Sequence, residues 1–246
     1  MSLLSSSVSQ SSNSELVSRA RAKGINDRRE ANADRPLLMI EALARAMAAR
    51  DGSTHEHARR VQRYALALAD EISISEDRTL AAIDVAALLH DIGKLGIPDR
   101  LLNKPGPLTP DEYDHVKLHA IIGADILSAV AFPGPLAVIV RHHHENWDGT
   151  GYPDGLRGEA IPIGARVLAI VDCYDALTSD RPYRGALSHA CSVAMIHERR
   201  GTMYDPEIVD AFLRIVQHVG APGQGPVPVG RPQTQTDSPR RKARRG

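Results

Sequence analysis

The stretch Leu88-Leu89-His90-Asp91-Ile92-Gly93-Lys94-Leu95-Gly96-Ile97-Pro98 decides how the chain is read. Val85, Ala86, Ala87, Leu88 and Leu89 form an apolar helical run that delivers two adjacent metal-binding side chains, His90 and Asp91, to the buried side. Neighbouring side chains on an α-helix diverge by about 100°. Such a pair can serve one centre only if the centre is wide, as two metal ions would be. A buried His-Asp with no partners is costly, so further groups must converge on it. The rest of the chain is read as a search for them.

Upstream, Glu76 to Asp91 reads as one helix. Thr54 is a candidate N-cap for an earlier one, with His57, Val61, Tyr64 and Leu68 on a common face. His55, about 200° round the helix from His57, is expected in solvent. Pro36 suits a first helical turn, and Leu37, Ile40, Leu43, Ala44 and Met47 then fall at core spacing. Downstream, Thr109-Pro110-Asp111-Glu112 has the form of a capped helix start, and that helix carries His119 through to Ile126. Leu136 to about His144 is a further helix ending in Arg141-His142-His143-His144-Glu145. The turn-forming stretch Asn146 to Gly155 follows. Pro162 to Leu177 places Asp172 and Asp175, three apart, on one face. A basic turn, Asp180-Arg181-Pro182-Tyr183-Arg184, leads to two last helices, Ser188 to Arg199 and Pro206 to Val219.

No stretch alternates with period two. The expectation is an all-α domain of about seven helices over residues 35–220. A Ser-rich segment, 1–34, is expected to be disordered or partly helical, and a basic tail, 221–246, disordered. A short helix in the first segment would dock on a partner or a second copy, which leaves a homodimer open.

Composition excludes several classes. Thirty basic and thirty acidic residues leave no formal net charge, so nothing draws the chain to nucleic-acid polymers or anionic membrane. No run reaches the roughly 18 apolar residues of a membrane span. Leu3 and Leu4 lack a basic lead and an apolar core region, so no signal peptide is expected. Cys173 and Cys191 sit in apolar helical patterns and read as thiols of a reducing, cytoplasmic compartment.

His57, His90, Asp91, His119, His143, His144 and Asp172 are then five imidazoles and two carboxylates on helical faces that should be apolar. Each alone reads as an ordinary core or surface residue; together they suggest a multinuclear site. Mixed imidazole and carboxylate ligation suits iron, manganese or zinc better than calcium or magnesium.

In this order the motifs resemble the HD-GYP family, a branch of the HD-domain phosphohydrolases that cleave cyclic di-GMP. The matching pieces are Leu88 to Lys94, Leu102 to Gly106, His119 with Gly123-Ala124, and His143-His144-Glu145-Asn146-Trp147-Asp148-Gly149-Thr150-Gly151-Tyr152-Pro153. Asp172 to Leu177, Arg181-Pro182-Tyr183-Arg184 and Asp205-Pro206 continue the series.

The resemblance implies an HD-domain helical bundle that holds two divalent ions, iron or manganese. His57, His90, Asp91 and Asp172 would ligate one ion. His119, His143 and His144 would hold the other, with Asp91 bridging. A hydroxide shared by the ions would attack phosphorus in line, releasing pGpG and leaving GMP open as a further product. Lys94 would steady the developing charge; Asp175 would orient the attacking water or Lys94, or else make a plain structural hydrogen bond. Lys94, Arg181 and Arg184 would bind substrate phosphate.

Some members carry a third-metal Glu four residues before the first ligand; Ser53 stands there in this chain, so two ions are expected. The Gly151-Tyr152-Pro153 loop would border the site and offer a contact for diguanylate cyclases. The main alternative is a non-catalytic effector that binds cyclic di-GMP or a protein. A di-iron oxygenase is disfavoured by the loop and the basic turn.

Overall fold

The computed structural model describes residues 35–51, 55–180 and 184–219. Its helices are α1 (Arg35–Asp51), α2 (His55–Glu71), α3 (Asp77–Leu89), α4 (Asp99–Leu102), α5 (Pro110–Lys117), α6 (His119–Ser128), α7 (Leu136–His142), α8 (Ile163–Thr178), α9 (His189–Glu198) and α10 (Pro206–Val219). Short 3-10 turns occur at Ile92–Gly96 and Gly158–Ala160. No strand is formed among the described residues, where Arg200 and Tyr204 make an isolated bridge. The all-α expectation of about seven helices holds, with the added segments including α4, a single turn, and the division of one expected helix. The two tails, Ser53, the Thr54 cap and Arg181 lie outside the described residues.

Helix α3 is the axis of the bundle. Thr79, Ala82, Ile83 and all of Val85 to Leu89 are buried, so the last turn and a half of the helix has no solvent side. It packs against α1, α2, α7 and α8. Small residues at Ala82, Ala86 and Ala87 let these neighbours come close. At Gly164 of α8, an added Cβ would lie 2.5 Å from Ile139 and 2.9 Å from Ile83. Behind α3, Tyr174 meets Tyr64 and Phe212 edge-on, with ring centroids 5.5 and 5.1 Å apart. Such pairs stabilise by about 0.5–1.5 kcal/mol beyond the area they bury.

Two helix boundaries differ from the sequence reading, and both shape the site. First, α3 stops at Leu89. His90 is still α-helical, but Asp91 has φ −89° and ψ 4°, where the chain tightens into the 3-10 turn. The angle between the two side chains is therefore set by this switch and not by a regular helix.

Second, the helix foreseen from Thr109 to Ile126 divides at Leu118, whose N–H bonds back to the His115 carbonyl at 3.3 Å. Its start is as expected: Thr109 and Glu112 form a reciprocal capping box. α5 has no buried residue, whereas α6 buries His119, Ala120, Gly123, Ala124 and Leu127. The tightened turn at Leu118 redirects the chain from surface to interior. In α1, Ala44 and Met47 are buried as expected, but Leu43 is exposed along with Leu38 and Met39.

The 3-10 turn and α6 touch backbone to backbone. A Cβ on Gly93 would lie 1.8 Å from the His119 carbonyl oxygen and 2.5 Å from the Gly123 nitrogen. No side chain can be accommodated unless the turn moves away from α6 and carries Asp91 with it. Gly93→Ala should therefore cost at least about 1–3 kcal/mol of stability in urea unfolding. Among the described residues, an added Cβ at Gly185 meets only Asp180 Oδ1, at 3.9 Å. Gly185→Ala should stay within about 0.5 kcal/mol of the parent.

Candidate metal centre

The fold brings the seven foreseen ligands together from five elements. His57 lies in the first turn of α2, and His90 and Asp91 follow α3. His119 opens α6, His143 and His144 follow α7, and Asp172 comes from the middle of α8. They form two groups, each with its ligand atoms within 4.8 Å of one another: His57, His90 and Asp172, and His119, His143 and His144.

Asp91 stands between the groups. Its Oδ2 is 3.5 Å from His90 Nε2 and its Oδ1 is 3.6 Å from His119 Nε2. Asp172 Oδ1 lies 3.5 Å from His57 Nε2 and 3.7 Å from His90 Nε2. These gaps are too long for hydrogen bonds. They match the separation of about 3–3.5 Å between neighbouring ligands on an ion with bonds of about 2.0–2.2 Å.

The rings are held from behind. Nδ1 of His90, His119 and His143 meets the carbonyl three residues earlier: Ala87 at 3.2 Å, Val116 at 2.8 Å and Val140 at 2.6 Å. A carbonyl only accepts, so Nδ1 carries the proton and Nε2 presents its lone pair. His57 does the same through Asp175, with Nδ1 2.6 Å from Oδ2.

Burial pushes His119, His143 and His144 below the ordinary histidine range, His144 to about 4, with neighbouring imidazoles adding to the shift for His143 and His144. For His57 burial acts the same way, but the Asp175 hydrogen bond and the charges of Asp172 and Asp91 outweigh it and raise its pKa. Burial alone would raise the pKa of Asp91, yet Lys94, His90 and His119 hold it well below the carboxylate range. His119, His143 and His144 are thus held neutral and Asp91 ionised, the donor states a divalent ion requires.

One test of fit is an orphaned atom. His143 Nε2 is buried with no hydrogen-bond partner. His119 Nε2 can accept from His144 Nε2–H at 3.1 Å, which leaves His143 Nε2 as the orphan of the group. A bound ion would satisfy it.

The other foreseen residues are placed as follows. Lys94 Nζ donates to Asp91 Oδ2 at 2.7 Å, beside the shared carboxylate. Asp175 does not point at Lys94 or at the cavity: it is fully buried, and besides His57 it binds Arg60 Nε at 2.5 Å and Nη2 at 2.9 Å. Its place is behind the ligand and not at the reacting water, because its two oxygens are taken by His57 and Arg60. Arg184 donates to the carbonyls of Ala176 at 2.7 Å and Leu177 at 3.2 Å, tying the basic turn to the end of α8. His55, expected in solvent, is half-buried, with a buried Nδ1 that has no partner, and belongs to neither group.

Several contributors were not singled out from the sequence. Glu145 is buried and accepts from Asp154 N at 2.8 Å and Leu156 N at 3.1 Å, pinning the loop after the triple histidine. A Cβ on Gly151 would lie 2.2 Å from Asn146 N, which explains a glycine there. Tyr152 lies against His144, with ring centroids 4.8 Å apart, and its N–H reaches the His144 carbonyl at 3.2 Å. His142, Glu145 and Asp154 also cluster, but Arg141 binds Asp154 through both its oxygens and the loop amides take Glu145, so this is a clasp on the loop. Trp147 packs under Arg166 at 5.8 Å. A cavity of about 410 Å³ opens beside the centre, walled by His144, Tyr152 and Asp172 on one side and by Arg199, Met203 and Tyr204 on another. That size is within the range of small-molecule sites.

Comparison with known proteins agrees. Residues 41–208 match the HD domain family model. Over 177 residues the chain is 45% identical to the cyclic di-GMP phosphodiesterase response regulator RpfG of Xanthomonas campestris pv. campestris, covering 71% of this chain and 47% of that protein. A cyclic di-GMP phosphodiesterase of Thermotoga maritima is 42% identical over 185 residues, covering 74% and 50%. The chain thus spans half or less of the length of these relatives. Among solved structures, a cyclic GMP-AMP specific phosphodiesterase of V. cholerae superposes with a TM-score of 0.58 at 20% identity, over 73% of this chain and 48% of that one. An HDG"Y"P protein from Bdellovibrio bacteriovorus gives 0.53 at 22%, over 65% and 51%. These two speak for the helical architecture. The family match takes in both ligand groups and the helices that carry them, and on that ground this chain belongs to the HD domain family.

Proposed function

We propose that the chain is a metal-dependent phosphodiesterase that hydrolyses cyclic di-GMP to pGpG, lowering the level of this second messenger. The observation that carries this reading is Asp91, which turns one oxygen to each of two buried ligand groups. The relatives named as cyclic di-GMP phosphodiesterases, at 42–45% identity, support the choice of substrate. Two divalent ions, iron or manganese, would supply a water of lowered pKa and would neutralise charge on the phosphoryl oxygens.

The chain's own residues do the rest. Asp91, with His57, His90 and Asp172, would hold one ion, and with His119, His143 and His144 the other. Lys94 keeps a positive charge next to Asp91, where charge grows on the phosphoryl group in the transition state. Asp175, steadied by Arg60, fixes the His57 ring, and so acts as a positioning residue. Arg181 is assigned to substrate phosphate on the resemblance. Arg184 shares that assignment, although its Nη groups already serve the end of α8. Tyr152 is committed to His144, which supports a shaping role for the Gly151-Tyr152-Pro153 loop; a contact with diguanylate cyclases, a homodimer and a cytoplasmic setting rest on the sequence reading. Among the described residues no helix is long and apolar enough to cross a membrane.

Anaerobic protein loaded with iron or manganese should release pGpG from cyclic di-GMP. Asp91→Ala should lower that rate by about a thousandfold or more, because it removes the one ligand common to both groups. Retained turnover in that variant would refute the mechanism. Loaded protein that binds the nucleotide without cleaving it would be an effector instead. 3'3'-cGAMP belongs in the same assay, since a V. cholerae relative specific for it is 37% identical over 174 residues.

Asp175→Asn should weaken metal affinity by about ten- to a hundredfold in a chelator competition, the usual effect of removing a ligand's supporting partner. Acidification should release the ions in order. His57 has a raised pKa, so protons compete for it at a higher pH than for His119, His143 and His144. Metal content followed downwards from about pH 8 should fall in two steps, and His57→Ala should remove the earlier one. A single concerted loss would contradict this order.

A further inference from the structure

The cavity continues away from the two ligand groups to a second wall formed by Arg199, Met203 and Tyr204, with Cys173 of α8 beneath. Arg199 caps the end of α9, and its own carbonyl accepts from the N–H groups of Thr202, Met203 and Tyr204. The same turn accepts from the loop after the triple histidine, through Trp147 N to Met203 O at 3.1 Å and Asp148 N to Thr202 O at 2.8 Å. Arg199 is therefore fixed relative to His143 and His144 by backbone hydrogen bonds.

Its guanidinium has only neutral company. Nη1 donates to Cys173 Sγ at 3.8 Å, and the buried Tyr204 hydroxyl accepts another N–H. No carboxylate pairs with it among the described residues. The surrounding cations differ: Lys117 is bound to Asp114 at 2.7 Å, Lys94 to Asp91 at 2.7 Å, and Arg166 to Asp205 at 2.7 Å. Arg200, the next residue, forks onto Asp210 at 2.8 and 2.7 Å. A guanidinium on a cavity wall, with no carboxylate partner among the described residues, suits an anion held in that cavity.

We propose that Arg199 is a second anion contact of this cavity, gripping the phosphate of a cyclic dinucleotide that does not lie over the ligand groups. The proposal rests on the cyclic di-GMP reading above. It makes Arg199 a binding residue that distinguishes substrates with two phosphates from those with one. Nothing in the assignment requires it to touch the phosphate being cleaved.

The test compares cyclic di-GMP with bis(p-nitrophenyl) phosphate, which carries one phosphodiester, in metal-loaded wild type, Arg199→Gln and Arg199→Lys. Arg199→Gln should raise KM for cyclic di-GMP by about ten- to a hundredfold, leave kcat within about threefold, and leave kcat/KM for the small diester unchanged. Arg199→Lys should recover part of the loss, since the charge returns without the planar fork. A guanine contact, the other use of an arginine here, is separated by cyclic di-AMP as a competitor, which carries two phosphates and no guanine. Its inhibition constant should weaken in Arg199→Gln as much as KM does for cyclic di-GMP, because both molecules carry two phosphates. A loss confined to cyclic di-GMP would overturn the phosphate assignment, as would an equal loss on both substrates or no loss on either. Wild type that cleaves the small diester but neither cleaves nor binds cyclic di-GMP would remove the functional reading and this proposal together. Wild-type turnover of cyclic di-GMP with an unaffected Arg199→Gln would remove only the proposal.

Discussion

The structure depends on a single carboxylate held between two sets of imidazoles. Asp91 is ionised in surroundings that would otherwise protonate it, because Lys94, His90 and His119 surround it with positive or polarisable partners. Its position requires the 3-10 turn to rest on the backbone of α6, and that contact exists only because residue 93 has no side chain. The buried end of α3 then fixes the turn to the rest of the bundle. A chain of close contacts thus runs from an alanine-rich helix to the atom that joins both ligand groups.

The ligand rings show how a helical bundle orients metal donors at little cost. Three histidines use a carbonyl of their own or the preceding helical turn as the rear partner. His57 sits in the first turn of α2. Asp175 supplies the acceptor from α8 instead, and Arg60 keeps that carboxylate ionised and oriented. The division of α5 from α6 serves the same end, since it turns His119 inward while leaving the Val116 carbonyl within reach.

Much of this was legible in the residues. The apolar run before His90-Asp91, the capped start at Thr109 and the order of histidines and aspartates identify the bundle and the two ligand groups. The role of Asp175 stayed open in the sequence because spacing shows only that it shares a face with Asp172. Which of its neighbours it touches depends on Arg60 and His57, more than a hundred residues earlier. Arg199 carried no signal of its own: it is an ordinary residue type whose partners come from a different helix and turn.

The sequence by itself determined the helical class and marked the seven candidate ligands, since periodicity and donor chemistry are local properties. Tertiary structure alone decided how close the donors of each group lie, which oxygen of Asp91 faces which group, and which cations have no carboxylate partner among the described residues. Those outcomes turn on distances of a few ångströms between elements far apart in the chain. Close packing sets such distances through contacts like Gly93 on His119, and no linear pattern records them.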